Sequence, residues 1–102
     1  MSTKVNESSD KSATRIVRVS VVEDDHVVRE QLVHQLSQAQ GITCASSHYS
    51  AEAALQELPL CQPDVVLMDI NLPKMSGIDC VRRLKGQIPS TQFIMLTVYE
   101  DA

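Results

Sequence analysis

Residues 64–73 read Asp64-Val65-Val66-Leu67-Met68-Asp69-Ile70-Asn71-Leu72-Pro73, and this stretch decides the fold. An unbroken apolar run, Val65 to Met68, leads straight into a carboxylate. Pro73 lies just beyond, and Gly77 closes the loop that follows. A short apolar run bounded by turn signals predicts a strand covered on both faces, as in a parallel sheet. Its carboxyl end then delivers Asp69 to the rim where open α/β sheets bind ligands. A second acidic cluster, Glu23-Asp24-Asp25, ends another Val-rich run and makes that rim a candidate site.

Working outward, Ile16 to Val22 is β-branched apart from Arg18 and Ser20 and is expected to be the first strand. A helix is predicted from about His26 to Ala39, with Val28, Leu32, Val33 and Leu36 on its apolar face and Gly41 as its stop. Ile42 to Ala45 reads as a second strand. Ser50 is expected to cap a short helix that turns Ala54, Leu55 and Leu58 inward and ends at Pro59 and Pro63. Beyond the central strand, a helix over about Ile78 to Lys85 is predicted to face the sheet through Ile78, Val81 and Leu84. Pro89 then precedes a fourth strand, Phe93 to Thr97. Strands alternating with helices imply right-handed crossovers and a mostly parallel, doubly wound α/β sheet.

The chain has 102 residues, room for one domain, with a net charge of −4 that gives no basic footprint for nucleic acid. Residues 1–14 are polar and Ser/Thr-rich, and are expected to form a disordered tail before a domain over 15–102. They lack a signal-peptide core, and no apolar stretch is long enough to span a bilayer, so the expected location is cytoplasmic. Three cysteines, Cys44, Cys61 and Cys80, lack metal-ligand spacing and read as buried free thiols. His26 reads as a solvated helix-start residue, and His34 and His48 as surface or strand-end positions.

The chemistry lies at the carboxyl ends of the strands. Strand one brings Glu23, Asp24 and Asp25 to the rim, strand three brings Asp69, and strand four brings Thr97. Carboxylates crowded into a partly dry cleft repel one another, and a hard divalent cation such as Mg²⁺ relieves that repulsion. The competing reading is that the acids merely cap the first helix, where negative charge is favourable anyway.

Three pieces in this order, Val21-Val22-Glu23-Asp24-Asp25, Asp69-Ile70-Asn71-Leu72-Pro73 with Gly77, and Leu96-Thr97-Val98-Tyr99, resemble the receiver domain of bacterial two-component response regulators. The likeness is to those regulators that carry a helix-turn-helix output domain, the LuxR/NarL-like subfamily. It implies a flavodoxin-like (CheY-like) sheet of order 2-1-3-4 before a further strand. It also implies Asp69 as phosphoacceptor from a histidine kinase or phosphotransfer protein, and Mg²⁺ held by Asp24 and Asp69, by Glu23 through water and by the Asn71 carbonyl. Thr97 would bind a phosphoryl oxygen, and Pro73 and Gly77 would shape the adjoining loop. By this resemblance the chain is a phosphoacceptor, not an enzyme in its own right. Transcriptional control would be exerted through an output domain outside this sequence.

Two departures from the family stand out. Val98 occupies a position that is often Ala, Gly or Ser and gates access to the phosphoryl group. The sequence also stops before the family's fifth strand, which carries a phosphoryl-pairing lysine; neither Lys74 nor Lys85 follows a strand in the way that role requires. A fragment of this kind is expected to accept phosphate slowly and to expose strand four to self-association. The alternative is a receiver that works only as an interaction module, titrating a kinase or pairing with another chain. A phosphatase with an Asp-x-Asp motif is disfavoured, because Asn71 cannot act as the general acid.

Overall fold

The computed structural model describes residues 15–96. Four strands alternate with three helices: β1 (Val17–Val22), α1 (His26–Gln38), β2 (Ile42–His48), α2 (Ala51–Cys61), β3 (Val65–Asp69), α3 (Gly77–Gln87) and β4 (Gln92–Leu96). All pairings are parallel, in the order β2-β1-β3-β4. The expected sheet is therefore present. The tail over residues 1–14 and the end of the predicted fourth strand at Thr97 lie outside the described residues.

The core fills one face of this sheet. Val22 of β1 and Val66 and Met68 of β3 pack with Ala51, Ala54 and Leu58 of α2 and with Cys80 and Leu84 of α3. Each fully buried Leu, Val or Met side chain contributes roughly 1.5–3 kcal/mol relative to exposure. The opposite face is thinner. There α1 crosses β1 and β2 but buries none of its residues completely, and Val28, Leu32, Val33 and Leu36 stay half-exposed. Val65 and Leu67 are likewise half-covered, and Ile94, paired with Leu67, is 51% exposed. The expectation of a central strand sealed on both sides thus holds only for the side facing α2 and α3.

Three local expectations need correction. Strand β2 runs on to His48 rather than stopping at Ala45, because Ser46 and His48 find hydrogen-bond partners inside the fold. Helix α2 passes through Pro59 instead of ending there. Proline forfeits one backbone bond but keeps a helical φ, and the Arg18 guanidinium donates to the carbonyls of Cys61 and Gln62 at the helix end. Gln62, at φ 48°, closes the helix in the left-handed region. Helix α3 begins one residue early, at Gly77, and this phase turns Cys80 inward and leaves Ile78 50% exposed.

The free thiols divide as well, with Cys80 buried and Cys44 and Cys61 only partly so. Burial pushes the Cys80 thiol up to about 11, the charge of Glu52 adding to the effect, so it behaves as core packing.

Gly77 is required by proximity rather than by φ. A Cβ there would overlap the carbonyl oxygen of Asp69, while the Gly77 N–H donates to Ile70 O at 3.0 Å. The start of α3 is thereby clamped against the end of β3. Substituting Gly77→Ala should lower stability by about 1–3 kcal/mol through overpacking, read as a lower thermal midpoint. The exposed Gly86→Ala, with open space around its added methyl, should not show that loss.

Candidate functional site

The carboxyl ends of β1 and β3 lie side by side because the two strands are direct parallel neighbours, with Val22 opposite Met68. Glu23 and Asp24 leave β1 at the level where Asp69 ends β3. One carboxylate oxygen from each of Glu23, Asp24 and Asp69 falls within 4.8 Å of the others. Glu23 and Asp69 are buried, at 2% and 3% exposure, whereas Asp24 faces solvent. A cluster with two buried carboxylates and one exposed suits a strongly hydrated cation that keeps part of its water shell.

The acids split by role. Asp25 is the N-cap of α1, its carboxylate accepting from Val28 N at 3.0 Å, so the capping reading holds for this residue. The others converge instead. Glu23 Oε2 accepts from Asp25 N at 3.0 Å, and Asp69 Oδ1 accepts from Asn71 N at 2.9 Å, which folds the loop after β3 back over the site. Lys74 sits further along that loop at φ 70°. Asn71 is exposed at the rim, and Pro73 and Gly77 bracket the same loop. Thr97 lies outside the described residues.

Glu23 carries the electrostatic signature. Burial is the largest effect and raises its carboxyl from 4.5 to about 7. The Asp25 N–H pulls the other way, and the charge and hydrogen bonding of Asp69 and the charge of Asp24 push it up further. Its Oε1 is buried and meets no donor. The Glu23 carboxyl faces the Asp69 carboxylate, so a proton on Glu23 or a cation would relieve the repulsion between them. A divalent ion fits this donor set, since it would supply the positive charge that the orphaned oxygen lacks.

Two further residues shape the rim. Arg29, on the first turns of α1, donates to the Glu23 carbonyl at 2.9 Å and approaches His26 Nδ1 at 3.1 Å. It places a guanidinium beside the acids, and no motif pointed to it. His48, expected at the surface or a strand end, does end β2 but is buried, and its carbonyl accepts from Glu23 N at 3.0 Å. His26 and His34 are exposed as expected.

Two grooves lie away from the acidic cluster. One of about 530 Å³ runs between α3 and β4 past Val81, Lys85, Phe93 and Met95, and one of about 540 Å³ lies along the outer side of α1. Charge, not apolar enclosure, marks the acidic site.

Comparison with known proteins agrees with this geometry. Residues 19–102 match the family described as the response regulator receiver domain, and the chain belongs to that family. It is 39% identical over 80 residues to a protein-glutamate methylesterase/protein-glutamine glutaminase of Syntrophus aciditrophicus, covering 78% of this chain and 23% of that protein. It is 31% identical over 86 residues to the response regulator GacA of Pseudomonas viridiflava, covering 84% of this chain and 40% of that one. Among solved structures, the receiver domain of the response regulator NarL from Mycobacterium tuberculosis superposes with a TM-score of 0.77 at 25% identity, over 85% of this chain and 70% of that chain. The receiver domain of Thermotoga maritima CheB gives 0.76, also at 25% identity, over 81% and 61%. The chain thus spans about a quarter to two fifths of the curated relatives it matches. No helix among the described residues is long and apolar enough to cross a membrane.

The raised Glu23 carboxyl sets a pH dependence whose sign is fixed. A carboxyl that holds its proton more tightly folded than unfolded stabilises the fold below pH 4.5, and that contribution is lost as pH rises to about 7. In chelator, the thermal midpoint should therefore fall by several degrees between pH 4.5 and 8. Glu23→Gln, which cannot ionise, should flatten that fall, as the difference between the two melting profiles will show.

Proposed function

We propose that this chain is the phosphoacceptor domain of a two-component phosphorelay, with Asp69 as the residue that takes the phosphoryl group. The observation that carries this reading is the convergence of Glu23, Asp24 and Asp69 within 4.8 Å around an unpaired buried oxygen. In the proposed reaction a carboxylate oxygen of Asp69 attacks the phosphorus of a phosphohistidine on a partner kinase or phosphotransfer protein. The P–N bond breaks, the imidazole leaves with a proton, and an aspartyl phosphate remains. Water can later attack the same phosphorus and release inorganic phosphate. The chain would make no product of its own and would act as a timed carrier of the signal.

Asp69 suits the nucleophile's position. Its backbone is fixed at the end of a hydrogen-bonded strand, its Oδ1 is oriented by Asn71 N, and Gly77 packs against its carbonyl. Positioning and charge neutralisation supply most of the catalysis in phosphoryl transfer, so a weak nucleophile suffices. Glu23, Asp24 and Asp69, with the carbonyl of Asn71, would hold Mg²⁺. When bound, the ion would neutralise the acids and screen the incoming phosphoryl oxygens. Thr97 is assigned a phosphoryl contact through its place in the family motif. Arg29 adds positive charge at the rim.

Control of transcription through an attached output domain is the role we assign to the whole protein, supported by the resemblance to regulators such as GacA. The cytoplasm is its proposed location. Contact with a second copy through β4, an edge strand among the described residues, is a further proposed partner mode.

Incubation with acetyl phosphate and Mg²⁺ should label the chain at Asp69. Asp69→Asn should abolish labelling, and chelation should do the same. Asp24→Asn should slow it by roughly 10²–10³, the scale of losing one preorganised electrostatic contact. Labelling that persists in Asp69→Asn would place the acceptor elsewhere.

A further inference from the structure

A chain of hydrogen bonds crosses the fold behind the acidic site. Ser20 and Ser46 hydroxyls are 2.7 Å apart, Ser46 Oγ lies 2.8 Å from His48 Nε2, and His48 Nδ1 lies 2.8 Å from Glu57 Oε1. At the other end, Arg18 Nη2 donates to Cys61 Sγ at 3.3 Å, and that sulfur is 4.0 Å from Ser20 Oγ. In the arrangement in which His48 Nδ1–H donates to the Glu57 carboxylate, Nε2 accepts. Ser46 then donates to His48, Ser20 to Ser46, and the Cys61 thiol to Ser20. Every hydroxyl gives once and receives once, and the run leads from a guanidinium to a carboxylate.

This run has a structural cause. The pairing of β1 with β2 shifts register between Val19 and Ser20, so Ser20 faces Ser46 and Ala45 is left over as a bulge. The shift brings Ser20 to Ser46, while Arg18, two residues earlier on the same face, reaches the end of α2. The run passes through His48, whose side chain is 2% exposed and whose carbonyl accepts the Glu23 N–H at 3.0 Å. Both ring nitrogens are held, so the rotamer of His48 and the backbone at the end of β2 are fixed together. Glu57, on α2, is 59% exposed and anchors that arrangement from outside the site.

We propose that His48, locked by Ser46 and Glu57, is a positioning residue for the acidic site, which sets the placement of Glu23 and thereby the affinity for a divalent cation. This rests on the proposed reading of Glu23, Asp24 and Asp69 as cation ligands. Glu57 touches neither the cation nor the phosphoryl group; it acts through His48 and the backbone of Glu23. Helix α2 is thus coupled to the site through the same side chain, and a partner that draws Glu57 away would loosen cation binding at a distance.

Calorimetric titration of the full chain with MgCl₂, alongside thermal melting of each variant in chelator, tests this. Glu57→Ala should weaken Mg²⁺ binding by about threefold to tenfold, and Ser46→Ala by a similar factor. Glu57→Gln, which keeps an acceptor oxygen for Nδ1–H, should stay within about twofold of the unaltered chain. Asp79→Ala, which removes only a surface pair with Arg82 on α3, should leave the affinity unchanged. Unaltered affinity in Glu57→Ala, whatever its melting temperature, would reduce the run to packing and overturn the proposal. So would an equal loss in Glu57→Ala and Glu57→Gln. If the unaltered chain itself takes up no Mg²⁺, the reading of the acidic site falls, and this proposal with it.

Discussion

Two buried carboxylates held face to face are the constraint from which the rest of this structure can be understood. Glu23 and Asp69 would separate if they could, since burial strips away the water that would screen them. They stay together because β1 and β3 are adjacent parallel strands whose ladder is closed by Val22 and Met68 directly beneath. That ladder belongs to a core sealed by α2 and α3, so the packing energy of Leu58, Met68 and Leu84 is spent partly on holding a repulsive pair. A proton on Glu23 relieves the strain, and a divalent cation would relieve it with the opposite pH dependence.

The surrounding backbone is arranged to the same end. Asp25 leaves the acidic group to cap α1, which frees its N–H to hold Glu23 Oε2. Arg29 returns from the same helix to grip the Glu23 carbonyl, and His48 grips its N–H from β2. Asn71 N steadies Asp69, and Gly77 lets α3 start against the Asp69 carbonyl. Glu23, Asp25 and Asp69 each accept from a backbone N–H, so little reorganisation of these three is needed when charge changes at the rim.

Much of this was legible in the sequence. The run Val65 to Met68 ending in Asp69 announced both the strand and the place of Asp69 in the acidic cluster, since contiguous apolar residues and a terminal carboxylate are local signals. The same holds for Glu23 and Asp24 after the β-branched run of β1. Helix phase was harder to read. Ile78 looked inward until the helix was seen to start at Gly77, a start set by contact with Asp69 rather than by any periodicity. Pro59 looked like a stop because the donor that satisfies the helix end, Arg18, lies 43 residues away from Cys61. The polar run through Ser20, Ser46, His48 and Glu57 was invisible for a related reason. It depends on a register shift between two strands, which no single stretch encodes. Arg29 gave no signal at all, being one charged residue on a solvated helix.

Burial, with Asp69 and Asp24 alongside, pushes the Glu23 carboxyl up to about 7. Following the Glu23 side-chain carboxyl carbon by ¹³C NMR across pH 3 to 9, without and with Mg²⁺, reads this directly. A midpoint near 7 is expected without metal, with a marked downward shift when Mg²⁺ is added. A midpoint near the ordinary 4.5 that ignores the metal would contradict it.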